Sequence, residues 1–124
     1  MTIALWCVLV AALLPYLAAT IAKAGGERYD NRDPRGWLER QDGYRARANR
    51  AQLNGFEAFP FFAVAVIVAQ LLHAPQERVD ALAVIFVAAR VGHLACYLAD
   101  WHGARSIAWL VGWLACIFLF VSGA

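Results

Sequence analysis

The chain has 124 residues, 62% hydrophobic and 16% charged, with a formal net charge of +2. A soluble domain usually carries about 25% charged residues, so surface this apolar on one small domain suits hydrocarbon rather than water. So small a net charge excludes an electrostatic nucleic-acid binder; membrane lipids are the expected surroundings, with no nucleic-acid partner.

Ile3 to Ala22 is 20 residues without a charge, about 30 Å of helix and enough to cross the hydrocarbon core. Ala18-Ala19-Thr20 could mimic a signal-peptide cleavage site, but no basic region precedes the apolar run, and it is read as a retained span. Pro15 predicts a modest kink, tolerated where neighbouring helices satisfy the freed carbonyl.

A polar loop follows over 23–44, punctuated by Gly25-Gly26, Asp33-Pro34 and Asp42-Gly43, which are turn material. Trp37 and Leu38 predict a short element resting at the membrane interface. The loop is long enough for a crossover and is a natural place for a lid or a headgroup site.

The second apolar segment is predicted over about 45–72. It opens with Arg45, Arg47 and Arg50, carries Asn54 and Glu57, and then runs apolar from Phe59 with a second expected kink at Pro60. The third, about 78–98, is apolar except for Arg90 and His93, with Tyr97 near its end. The fourth covers about 105–122. The last two connections are short and force antiparallel neighbours. The predicted fold is therefore all-α, an integral membrane four-helix up-down bundle forming one domain over 1–124. Cys7, Cys96 and Cys116 all lie in apolar segments and read as small buried hydrophobes rather than a disulfide framework.

Charge orients the bundle. Between Lys23 and Arg50 eight basic residues face five acidic ones, a sum of +3; Glu77, Arg78 and Asp80 sum to −1, and Asp100 cancels Arg105. The positive-inside rule then places the large polar loop in the cytoplasm and both termini outside.

Some polar residues are not explained by apolar periodicity. Arg50, Asn54 and Glu57 are spaced four and three, and Arg90, His93 and Tyr97 three and four, so each trio spans an arc of about 60° on its helix. Arg47 falls close to the first stripe. Up-down topology brings both stripes, with Arg105, to the cytoplasmic half. A charge in mid-bilayer costs at least about 2.5–3.5 kcal/mol, so Glu57 and Arg90 are expected to face inward and pair. A purely structural ion pair would satisfy that requirement. Yet Arg47, Arg50, Arg90 and Arg105 outnumber Glu57 and Asp100 there, and the surplus suits an anionic, carboxylate-bearing ligand. Tyr97 alone could be an interface aromatic, and Ser106 a first-turn residue. His73, His93 and His102 show no compact ligand spacing, so no metal is expected; there is no phosphate-cradling glycine loop and no nucleophile elbow.

The stretch Arg50-Ala51-Gln52-Leu53-Asn54-Gly55-Phe56-Glu57-Ala58-Phe59-Pro60 closely resembles the second-helix signature of the MAPEG family, the membrane-associated proteins of eicosanoid and glutathione metabolism. Arg90-Val91-Gly92-His93-Leu94-Ala95-Cys96-Tyr97 resembles the third-helix motif, and Arg105-Ser106 the opening of the fourth helix. The resemblance implies a small prokaryotic-type member in a bacterial inner membrane, a homotrimer, and glutathione bound as co-substrate between neighbouring subunits. It places Arg47, Arg50, Asn54, Glu57, Arg90, His93 and Tyr97 around the tripeptide. It makes Arg105, with Ser106 as rival, the group that stabilises the thiolate. Arg28, Arg32, Arg35 and Arg40 match no ligand residue.

The expected function is a glutathione-dependent membrane transferase or peroxidase acting on lipophilic electrophiles. The alternatives are a non-catalytic membrane binding or assembly protein retaining the fold, and a small transporter using Glu57, Arg90 and His93 as an intramembrane path.

Overall fold

The structure, a computed structural model, describes residues 1–124 and contains only helices: α1 (Ile3–Lys23), α2 (Pro34–Glu39), α3 (Gly43–Leu71), α4 (Gln76–Leu98) and α5 (His102–Phe120). α1, α3, α4 and α5 are the four membrane-spanning helices. α3, at 29 residues, is about 44 Å long against a hydrocarbon core of about 30 Å. Its arginine-bearing first turns therefore stand in the headgroup region, where a cation costs little.

Three of the four helix ends on the loop side are tied together by the start of α3. The carbonyl of Ala24, just past α1, accepts hydrogen bonds from Tyr44 Oη at 2.8 Å and Arg45 Nη2 at 3.0 Å. Arg47 Nη2 donates to the Leu98 carbonyl at the end of α4, 3.1 Å away. Guanidinium groups suit these positions because the last carbonyls of a helix lack intrahelical partners and carry the negative end of its dipole. The loop between α1 and α3 folds over this end. α2 is capped by Asp33, which accepts from the Gly36 N–H at 3.2 Å, and buries Trp37 and Leu38 against Ala22 and Ala48. The indole of Trp37 donates to the Arg28 carbonyl at 2.9 Å.

At the other end Asp80 of α4 accepts from the Ala4 N–H and from Gln76 Nε2, both at 2.8 Å. It thereby takes up one of the orphan donors at the start of α1. The short turns reverse on left-handed residues, His73 (φ 55°) after α3 and Asp100 (φ 60°) after α4.

Alanine dominates the contacts between spans. Ala4, Ala11, Ala65, Ala69, Ala83 and Ala115 lie in one core with Cys7, Phe62, Val66, Val79, Phe86, Cys116 and Leu119. In hydrocarbon, apolar side chains gain nothing by leaving solvent, so helices associate through close van der Waals packing of small residues. Phe62 and Phe86 stack across α3 and α4 with centroids 3.9 Å apart and planes 9° from parallel. Pro15 of α1 nests against Gly55 of α3, where a Cβ would come within 2.9 Å of Pro15 Cγ. The large apolar side chains of α1 and α5, such as Trp6, Leu13, Ile107 and Phe118, point outward and are more than 50% exposed on the single chain.

Candidate functional site

At the loop end, α3, α4 and α5 enclose two adjoining hollows. The first, about 240 Å³, is lined by Asn54 of α3, His93 and Tyr97 of α4, and Arg105, Ser106 and Trp109 of α5. The second lies deeper, about 250 Å³, and shares Asn54 and Trp109 with the first; Glu57, Phe61, Phe86, Arg90, Trp113 and Cys116 contribute its other walls. The upper hollow is polar. The lower one is largely apolar, with its polar residues, Asn54, Glu57 and Arg90, on the side next to the upper hollow.

Arg90 is 7% exposed and donates through Nη2 to Asn54 Oδ1 at 2.8 Å. Asn54 therefore sits between the hollows with its amide oriented by the guanidinium. The expectation that Glu57 faces inward to pair with Arg90 is corrected here. Glu57 is exposed on the single chain, and the chain's two ion pairs are Arg32–Asp30 and Arg40–Asp33, both in the loop. The reason is register: Asn54 already meets Arg90 across the α3–α4 contact. Glu57, three residues on, turns about 60° away from Asn54 and toward the mouth of the groove.

His93 is 3% exposed. Its ring meets Tyr97 edge-on, 5.1 Å between centroids and 73° between planes, and its buried Nδ1 has no hydrogen-bond partner in the chain. The guanidinium carbon of Arg105 lies 4.4 Å above the centroid of the Tyr97 ring. Ser106 Oγ donates to the His102 carbonyl one turn back, at 3.1 Å, so its proton is engaged with the backbone.

Asn54, His93, Tyr97, Arg105 and Ser106 thus meet in the upper hollow, and Glu57 and Arg90 line the lower. Two expected site residues do not join them. Arg47 is held by the Leu98 carbonyl, and Arg50 is exposed on the interfacial part of α3. Their stripe is helically continuous with Asn54, but the bundle buries only part of it.

The loop arginines also stay apart from the hollows. Arg32 donates through Nε and Nη2 to Asp30 at 3.0 and 3.2 Å. That side-chain bond, with the backbone bond from Arg32, holds the Asp30 carboxyl below the usual carboxylate range.

Trp109, Trp113 and Cys116 did not stand out in the sequence, although with Arg105 they are spaced four, four and three along α5, a single helical face. The indoles of Trp109 and Trp113 lie 6.0 Å apart and 11° from parallel, forming the aromatic wall of the lower hollow.

The sequence pattern that defines the MAPEG family matches residues 3–124. The chain belongs to the MAPEG family. No curated protein and no solved structure matches it closely. The MAPEG family is broadly linked to glutathione-dependent lipid metabolism. In this MAPEG chain Asn54 and Glu57 of the first resembling motif, Arg90, His93 and Tyr97 of the second, and Arg105 and Ser106 of the third line the two hollows from three different helices.

Proposed function

We propose that this MAPEG protein is a glutathione-dependent transferase or peroxidase that acts on lipophilic electrophiles dissolved in the membrane. One observation carries the reading. Arg105 has neither an ion pair nor a side-chain hydrogen bond within the chain, and lines a polar hollow opening beside a tryptophan-walled groove. An unpaired guanidinium in such a place calls for an anion, and its fork suits a carboxylate or a thiolate.

Glutathione meets the chemistry of both hollows. It carries two carboxylates, one ammonium and a thiol with an ordinary pKa of about 8.5. Asn54, His93 and Tyr97 offer polar contacts for its peptide. Glu57 finds no cation within the chain, and in hydrocarbon a lone carboxylate costs at least about 2.5 kcal/mol; the tripeptide's ammonium would relieve that cost. Arg105 beside the sulfur would favour the thiolate. Ser106 is the weaker rival because its hydroxyl proton already bonds the His102 carbonyl. The thiolate would then attack an electrophile seated against Trp109 and Trp113. In conjugation a carbon–sulfur bond forms and the leaving group departs. In peroxide reduction the O–O bond breaks to give an alcohol and an oxidised sulfur, which a second glutathione returns as the disulfide with loss of water.

The assembly we propose is a homotrimer, with a neighbouring subunit covering the exposed face of α3 that bears Arg50 and Glu57. The membrane orientation we propose keeps the long loop and the mouth of the site at the cytoplasmic face, where a water-soluble thiol can enter.

The test is glutathione binding and thiolate absorbance in detergent for the wild type and for Arg90→Ala, Arg105→Leu and Ser106→Ala. Saturable binding is expected in the wild type and lost in Arg90→Ala. Arg105→Leu should raise the thiol pKa, with Ser106→Ala close to wild type. A well-folded wild type that binds no glutathione would end the proposal.

A further inference from the structure

We infer that Tyr97 is a positioning residue that holds Arg105 over the site through the face of its ring, leaving every guanidinium N–H free for the anion. The inference rests on the proposed role of Arg105 and deepens it.

An arginine in a membrane protein is ordinarily held by a carboxylate or by backbone carbonyls, as Arg32 is by Asp30 and Arg47 by Leu98. Either kind of partner occupies N–H donors, and a carboxylate also cancels the charge. Arg105 has neither, and its guanidinium carbon lies over the Tyr97 ring, 4.4 Å from the centroid. The negative face of an aromatic ring attracts a cation electrostatically without an oxygen acceptor that would take up its N–H donors, and the Arg105 side chain makes no hydrogen bond within the chain. The charge and all five donors therefore remain available to a ligand in the hollow lined by both residues. A group restrained but not neutralised is what stabilisation of a developing anion requires.

The platform itself is immobilised. Tyr97 is half-buried, and its ring also packs against that of His93, a residue 3% exposed, with the two planes 73° apart. The order across the site is thus His93, Tyr97, Arg105, from the packed interior to the open hollow. The Tyr97 hydroxyl makes no hydrogen bond within the chain, so the ring is the part of the side chain that the fold uses.

The experiment compares Tyr97→Phe, which keeps the ring, with Tyr97→Leu, which keeps the bulk without the π face. Two readouts are followed. The first needs no glutathione: the Nε–H proton resonance of Arg105 in arginine-labelled protein, assigned by its loss in Arg105→Lys. Ring current from a face 4.4 Å away shifts that proton upfield in the wild type. Tyr97→Phe should keep the upfield shift, and Tyr97→Leu should lose it. The second is the thiol pKa of bound glutathione together with turnover. Tyr97→Leu should raise the pKa and place kcat about two- to fivefold below that of Tyr97→Phe, in keeping with a partly exposed cation–π contact, while KM differs less. Equal Nε–H shifts in the Phe and Leu variants would overturn the inference. Equal thiol pKa values in the two variants, in protein that binds glutathione, would overturn it as well. Absence of glutathione binding with the ring-current pattern intact would sink the proposed function and leave the positioning contact standing.

Discussion

Replacing Asn54 by alanine removes the side-chain acceptor of the Arg90 guanidinium, a bond of 2.8 Å to a residue only 7% exposed. Hydrogen bonds to charged groups contribute about 1.5–3 kcal/mol in soluble proteins, whereas neutral interhelical bonds in bilayers average about 0.6 kcal/mol because the unfolded chain finds other partners. Arg90 lies between these cases, being charged, deep and wedged between α3 and α5. A loss of about 2 kcal/mol is expected for Asn54→Ala. The measurement is reversible unfolding in mixed micelles without glutathione, so that ligand binding does not enter. A double-mutant cycle with Arg90→Leu separates bond from packing. Once Arg90 is gone, Asn54→Ala should cost little, giving a coupling of about 1–2 kcal/mol. A single-mutant loss below about 0.5 kcal/mol, with additive behaviour in the double mutant, would refute the view that Asn54 anchors the buried guanidinium.

Gly55→Ala is expected to destabilise by about 1–3 kcal/mol through overpacking, because its Cβ would meet Pro15 Cγ at 2.9 Å; adding Pro15→Ala should restore most of the loss in the same unfolding assay. Asp80→Ala strips the acceptor from the Ala4 N–H and should cost about 1–2 kcal/mol, with faster amide exchange confined to the first turn of α1. In an NMR titration the Asp30 carboxyl should protonate below the ordinary aspartate value of about 3.9, and Arg32→Gln should move it back, since the Arg32 side-chain bond is the leading cause of the depression. The sign follows from linkage: with the folded value lowered, the contact is fully present above the unfolded value and fades as pH falls through the folded one.

Much of the architecture was legible in the chain. Four long apolar runs require four spans, because unpaired backbone cannot sit in hydrocarbon, and short connections require antiparallel neighbours. The polar spacings 54–57 and 90–93–97 mark helix faces that the packed bundle brings together around the two hollows. Periodicity reports which residues share a face, but not which part of that face a neighbour covers. Arg47 and Arg50 lie near one stripe with Asn54, yet one is turned to the Leu98 carbonyl and the other to the exterior. Glu57 looked like the partner of Arg90 because opposite charges attract, but the α3–α4 register gave that place to Asn54. The tryptophans of α5 carry no polar spacing that marks them, and only the packing of α3 and α4 beside them makes them the wall of the lower hollow.

Membrane residence follows from composition and the count of spans from the order of apolar runs along the chain, since the free energy of placing apolar or charged groups in hydrocarbon is a property of each residue type. Which guanidinium is capped, which is buried and which is left free depends on helix register and rotation, quantities set jointly by all the contacting surfaces. Arg105 and Arg47 are chemically identical side chains. Their different fates, one above a tyrosine ring and one against a helix end, exist only once the helices have packed.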